Sequence, residues 1–182
     1  MKLMIASDIH GSAKWCRRML EAWKAEKPAK LILLGDILYH GPRNDLPEEY
    51  APKQVIAMLN EMPSELLCVR GNCEAEVDQM VLSFPVMADY CALFMDGHTV
   101  YATHGHTHGE TNPPPLAKGD VLLCGHTHVP VLNRHENFIY ANPGSTSIPK
   151  NGSCHSYAVI EDGNMIWKDL ETGSVYREEK LW

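Results

Sequence analysis

From Lys2 to Cys124 the chain carries five short, nearly continuous apolar runs, at 2–7, 30–34, 65–69, 100–103 and 120–124. Runs this short and this apolar read as strands buried on both faces, so they require a central sheet that is covered on both sides. Between the first two runs, Cys16, Met19, Leu20 and Trp23 repeat at the spacing of one helical face. Val55, Met58, Leu59 and Met62 repeat it between the second and third. Strand, helix, strand, helix, strand is the signature of an α/β layer built on parallel strands and crossover helices.

The second half changes character. Residues 91–95 and 98–103 flank Asp96-Gly97, and 157–160 and 165–168 flank Asp162-Gly163. Asp-Gly between such runs is a strong hairpin signal, so antiparallel strands are expected there. A mixed β-sandwich covered by helices absorbs both halves in one core. No repeat, low-complexity tract or linker interrupts it, and residues 1–182 are expected to form a single domain.

The polar residues at the ends of the five runs carry the chemistry. The first run leads to Asp8 and His10, and the second to Asp36 after Gly35. The third leads to Asn72 after Gly71, the fourth to His104, and the fifth to His126 and His128 after Gly125. In α/β sheets, ligands gather outside the carboxyl ends of the strands, so these side chains are expected to converge on one crevice. Two carboxylates, one amide oxygen and four imidazoles suit manganese, iron, zinc or cobalt rather than thiolate-bound copper or all-oxygen calcium. Seven donors exceed one tetrahedral site. With one carboxylate bridging through its two oxygens, they support two ions about 3.5 to 4 Å apart. Asp36, alone at its strand end, is the expected bridge. Asp8 with His10 and His126 with His128 are i, i+2 pairs, which point to one side in extended chain.

Taken singly, Asp-x-His, Gly-Asp or His-x-His most often caps a helix or ends a strand. Their joint placement at five strand ends is what capping does not explain. Asp8-Ile9-His10, Gly35-Asp36, Gly71-Asn72, His104-Gly105 and Gly125-His126-Thr127-His128 resemble, in order and spacing, the motif series of calcineurin-like metallophosphoesterases. Residues 6–12, 40–44, 70–73 and 142–145 are most similar to the YfcE-type branch of small bacterial phosphodiesterases. The likeness runs from Met1 to about Pro149.

That resemblance implies a four-layer αββα sandwich of two mixed β-sheets flanked by helices. It implies two divalent ions, commonly manganese, with zinc, iron, cobalt or nickel as substitutes. Asp8, His10, Asp36 and His128 would hold one ion, and Asp36, Asn72, His104 and His126 the other. A metal-bridging hydroxide would attack the phosphorus of a small phosphodiester, with Asp36, Asn72, Cys73 and His104 as the catalytic group. Where most of the superfamily has a histidine after Gly-Asn, this chain has Cys73. A thiol matches proton donation near neutral pH less well than imidazole, which points to good leaving groups. The alternative reading of Cys73 is a packing residue beside the site.

Gly105-His106-Thr107-His108 duplicates Gly125-His126-Thr127-His128, and either motif alone offers paired imidazoles. Chain order favours the later copy, with His106 either supporting a ligand from behind or contacting phosphate, and His108 in a loop. Arg43 and Asn44, after the second ligand-bearing strand, either contact the substrate phosphate or form an exposed turn. Residues 142–145 read as a turn packed under the centre. His98, His135 and His155 read as surface residues.

Composition bounds the partners. A formal charge of -7 opposes a protein that grips long nucleic acid, which needs a basic surface. No apolar run approaches the roughly 20 residues that span a bilayer, and no signal segment is evident. Six cysteines without a C-x-x-C pair fit free thiols in the cytoplasm. A homo-dimer or homo-tetramer rests on the resemblance alone. The readings competing with a phosphodiesterase are a non-catalytic metal-binding scaffold for protein partners and, among enzymes, a phosphomonoesterase or nuclease.

Overall fold

The computed structural model describes residues 1–182, in the order β1 Leu3–Ala6, α1 Ala13–Glu26, β2 Lys30–Leu33, α2 Pro52–Leu59, β3 Leu66–Cys68, α3 Glu76–Val81, β4 Cys91–Met95, β5 His98–Ala102, β6 Asp120–Leu123, β7 Val131–Arg134, β8 Phe138–Asn142, β9 Ser156–Glu161, β10 Asn164–Asp169 and β11 Val175–Lys180. All five apolar runs are strands. Both Asp-Gly pairs turn hairpins, β4–β5 and β9–β10, with positive φ at both central residues as a type I′ turn requires.

Local chemistry sets the helix limits. Ser12 caps α1, its Oγ accepting from the Trp15 N–H at 3.3 Å. Lys27 closes α1 in a left-handed conformation, its N–H donating to the Trp23 carbonyl. Pro52 opens α2. Met62, which continues the helical spacing, lies outside α2, because the helix ends at Leu59 and Pro63 opens a 3-10 turn.

One sheet runs β11-β10-β9-β1-β2-β3 and the other β4-β5-β6-β8-β7. β1, β2 and β3 are parallel, as are β5, β6 and β8, while the hairpin strands pair antiparallel. Alternation along β1 splits the core. Met4 and Ala6 face α1 and α2 in one cluster with Met19, Leu31 and Leu59. Leu3 and Ile5 face the second sheet in another, with Ile32, Val100, Val121 and Trp167. Trp167 is fully buried, and its Nε1 donates to the Asn142 carbonyl at 2.8 Å, so its one polar atom is satisfied.

The two-sheet α/β sandwich is as expected, and it differs in one layer. No helix follows Val81. The outer face of the second sheet is covered instead by the β5–β6 connection, where Leu116 packs on Leu122, Cys124 and Tyr140. No helix is long and apolar enough to cross a membrane.

Candidate metal centre

β1, β2 and β3 end side by side because they are parallel, and the loops leaving them are laced together. The Asp8 N–H donates to the Gly35 carbonyl at 3.1 Å, His10 to Asp36 at 2.9 Å and Gly11 to Ile37 at 2.8 Å. From the second sheet, the Gly125 N–H donates to the His104 carbonyl at 2.9 Å and the His126 N–H to Asp8 Oδ2 at 3.1 Å. The seven predicted side chains therefore meet at one edge of the sandwich.

Their backbone is not extended. Asp8, His10, Asp36, His126 and His128 all have φ between 47° and 65°. This corrects the i, i+2 reading: the chain turns at each of these residues, and His126 and His128 diverge into different clusters. Left-handed conformation costs a non-glycine residue on the order of 1 kcal/mol or more, so the surroundings must hold it. Ser145 Oγ and Ser147 Oγ both donate to the Asp8 carbonyl at 3.0 Å. Asn142 Nδ2 donates to the Gly125 carbonyl at 2.6 Å. The turn at 142–145 thus supports the centre from below, as expected. Gly71 is required by proximity, since a Cβ there would strike Asp36 Oδ1.

Three imidazoles are oriented alike. His10 Nδ1 faces the Tyr39 carbonyl at 2.8 Å, His104 Nδ1 the Leu34 carbonyl at 2.6 Å and His128 Nδ1 the Ile148 carbonyl at 2.6 Å. A carbonyl only accepts, so each ring donates at Nδ1, and in its neutral form each presents an unprotonated Nε2 to the centre. His10 Nε2 and His128 Nε2 lie 3.3 Å apart, at 3.6 and 3.2 Å from Asp8 Oδ1. Asp8 Oδ1 is buried and has no hydrogen-bond donor. Lone pairs crowded this closely repel unless a cation or proton lies among them, and the donor set fits a divalent transition ion.

A second cluster adjoins the first. His104 Nε2 lies 3.1 Å from Asn72 Oδ1, 3.2 Å from His126 Nδ1 and 3.5 Å from Asp36 Oδ2. Asp36 Oδ2 also lies 3.7 Å from His10 Nε2, so this one oxygen faces both clusters. Its Oδ1 accepts from the Cys73 N–H at 2.9 Å. Asp36 has the expected intermediate position, with a single oxygen rather than two turned toward the centre.

Burial pushes the Asp8 carboxyl up, but the His10 and His128 rings beside Oδ1, when protonated, outweigh it and hold the group well below the usual carboxylate range. Burial pushes His10 down, while Asp8 and the Tyr39 carbonyl raise it on balance, making a proton the natural competitor of a cation. Burial, and then His104, lower His126, which keeps its ring neutral. Burial and the neighbouring Asp36 raise the Cys73 thiol, whose Sγ receives Asn72 Nδ2 at 3.3 Å.

The sequence gives no signal for Glu74. This buried carboxylate accepts the N–H groups of Gly71 at 2.5 Å, Asp36 at 2.9 Å and Ile37 at 2.7 Å, tying the β2 and β3 ends together. Lys150 is also new: with Arg43, Asn44, Cys73 and His128 it lines the polar cleft over the centre. His106 stands at the rim of a neighbouring groove, its ring 5.4 Å from His104 and 6.3 Å from His126. His108 is in the loop. His155 is not a free surface residue, since it stacks on Trp15 at 3.5 Å.

Paired carboxylates and oriented imidazoles at the strand ends of a two-sheet sandwich define a protein built to bind divalent metal. The family model for the calcineurin-like phosphoesterase superfamily domain matches residues 1–164, and the chain belongs to that superfamily. It is 47% identical over 162 residues to phosphodiesterase YfcE of Escherichia coli, covering 89% of this chain and 88% of the relative. The solved structure of YfcE, described as a phosphoesterase, superimposes with a TM-score of 0.97 at 43% identity over the whole of both chains. Vacuolar protein sorting 29 from Cryptosporidium parvum shares the fold at a TM-score of 0.60 and 14% identity, covering 98% of this chain and 97% of that one.

Proposed function

We propose that the protein is a metal-dependent phosphodiesterase that hydrolyses small phosphodiesters, with residues 1–182 acting as one domain. The observation that carries this reading is the inward lone-pair array: three imidazoles fixed by backbone carbonyls, aimed at Asp8 and Asp36. The 47% identity to a phosphodiesterase over most of the chain supports the diester as substrate. Asp8, His10, Asp36 and His128 hold one divalent ion, and Asp36, Asn72, His104 and His126 the second, with manganese the preferred metal. Bound there, such ions supply Lewis acidity toward phosphate oxygens and a nucleophilic water at neutral pH.

The protein's own groups do the rest. Arg43 and Lys150 place positive charge on the cleft wall, where a phosphodiester anion docks. Asn44, its Nδ2 donating to the His40 carbonyl at 2.9 Å, stiffens the loop that carries Arg43. His106, its ring 5.4 Å from that of His104, offers phosphate a further imidazole from the neighbouring groove. Cys73 Sγ brings a thiol to the position beside Asn72, and a thiol held protonated is a poor acid, which favours esters whose alcohols leave unaided. The six cysteines are unpaired, which fits a reducing cytoplasm.

The test is nitrophenol release from bis(p-nitrophenyl) phosphate and from the monoester by metal-stripped protein before and after manganese is added. Manganese-dependent cleavage of the diester well above the monoester is expected. Metal binding without cleavage of either ester overturns the reading in favour of a binding scaffold.

A further inference from the structure

The polar cleft has an apolar neighbour. A cavity of about 430 Å³ lies between α2 and α3, walled by Leu38, Tyr39, Tyr50, Ile56, Val77 and Val81. Its volume falls in the roughly 300–1,000 Å³ range of small-molecule sites. Cys73 lines both spaces, so the cavity adjoins the phosphate cleft at that residue. Three of its wall residues have no apolar partner over much of their surface: Tyr39 is 43% exposed, Val77 60% and Val81 42%. Its charged lining is small. Lys53 lies on the surface, and the Asp78 carboxylate is already engaged by the Ala75 N–H at 2.8 Å.

A second groove has a more polar character. Arg43 and Asn44 line both the cleft and this groove, where Asp45, Glu48 and Ser147 stand beside Trp15 and Ile148. A phosphodiester bound in the cleft carries two organic arms, and the cavity and the groove offer them unlike surroundings. Resting on the phosphodiesterase reading above, we infer that the Cys73-side cavity is a subsite for one apolar arm, an aryl or alkyl ester group, so that the preferred substrates are diesters with at least one such group. A sugar or other polyhydroxylated arm would leave its hydroxyls without partners against Leu38, Ile56 and the valines, an unfavourable burial. Tyr39 and Tyr50 add aromatic rings to the lining, which suits an aromatic one.

Calorimetric titration of the manganese-loaded protein with methylphosphonate and phenylphosphonate tests this. Phenylphosphonate is expected to bind about tenfold tighter, the gain from burying its ring in the cavity. Val77→Asp, at an exposed position in the first turn of α3 where an acid is compatible with the helix, is expected to abolish that preference. It should leave methylphosphonate affinity unchanged, while Val77→Leu keeps the preference. Equal affinity of the two phosphonates for the unmodified protein, or a preference that survives Val77→Asp, overturns the inference. The outcomes separate from those of the hydrolytic reading. Diester turnover with equal phosphonate affinities removes the subsite alone, and a phenyl preference without turnover removes hydrolysis alone.

Discussion

His10 Nε2 and His128 Nε2 face each other across 3.3 Å, although the residues lie 118 positions apart and each ring is pinned from behind by a carbonyl. Neither ring can turn away without losing its Nδ1 bond, so the pair keeps both Nε2 atoms turned toward Asp8. His128→Ala is expected to remove one of two manganese equivalents while leaving the far-ultraviolet spectrum intact. Activity should fall by more than the roughly 100-fold that loss of an outer-shell partner causes. Calorimetry on the variant that still counts two equivalents would show that His128 is not a ligand.

His104 and His106, at the start of the first Gly-His-Thr-His copy, are placed differently. His104 is fully buried and within 3.5 Å of Asp36 Oδ2, while His106 is exposed at a groove rim. His104→Ala should lose one metal equivalent and His106→Ala none. Equal metal loss in both, read by elemental analysis after dialysis, contradicts the assignment.

Glu74 gathers three N–H groups from two strand ends, and removing its charge leaves an amide group facing donors it does not satisfy. Glu74→Gln is expected to lower stability by about 2 kcal/mol in urea denaturation and to weaken metal binding, because Asp36 and Gly71 lose their common anchor. Unchanged stability and metal affinity would show that the three contacts are incidental.

Cys73 occupies the place where an imidazole would serve as a better acid. Cys73→His is expected to speed hydrolysis of alkyl diesters more than of nitrophenyl diesters, since only the former need a proton at the leaving oxygen. Comparison of the two kcat/KM ratios decides it; equal changes for both classes sink the role.

Away from the centre, Glu26 joins α1 to the first sheet through Lys168, the Tyr157 hydroxyl at 3.0 Å and Lys2 at 3.3 Å. Burial pushes its carboxyl up, but these partners outweigh it and the group titrates below the ordinary glutamate range. A depressed folded-state value stabilises above the unfolded value and ceases to do so as the pH falls through the folded one. Glu26→Gln should therefore cost about 1 kcal/mol near neutral pH and progressively less on acidification. A penalty that stays constant down to low pH, in denaturation curves across the range, contradicts the ion-pair account.

The strands with continuous apolar runs were readable because burial on both faces leaves no room for polar alternation, and the ligands at their ends followed from that placement. β11 was not readable. Its sequence, Val175–Lys180, is an edge strand with charged side chains, held by pairing with β10 rather than by burial. α3 spans only six residues, too few for a helical period to show. Within the centre, residue types signalled Asp8, His10, Asp36, Asn72, His104, His126 and His128. The left-handed backbone at Asp8, His10, Asp36, His126 and His128, and the bonds from Asp36 and Ile37 to Glu74, belong to loops distant in sequence, which local spacing does not encode.

Asp36 Oδ2 faces both donor clusters, 3.7 Å from His10 Nε2 and 3.5 Å from His104 Nε2, so the decisive measurement is manganese stoichiometry by calorimetry in Asp36→Asn beside the unmodified protein, with diester turnover read on the same samples. The account predicts two equivalents and turnover in the unmodified protein. In the variant it predicts weakening of both equivalents together and loss of turnover. Loss of a single equivalent with the other unperturbed, or turnover that persists without bound metal, would contradict it.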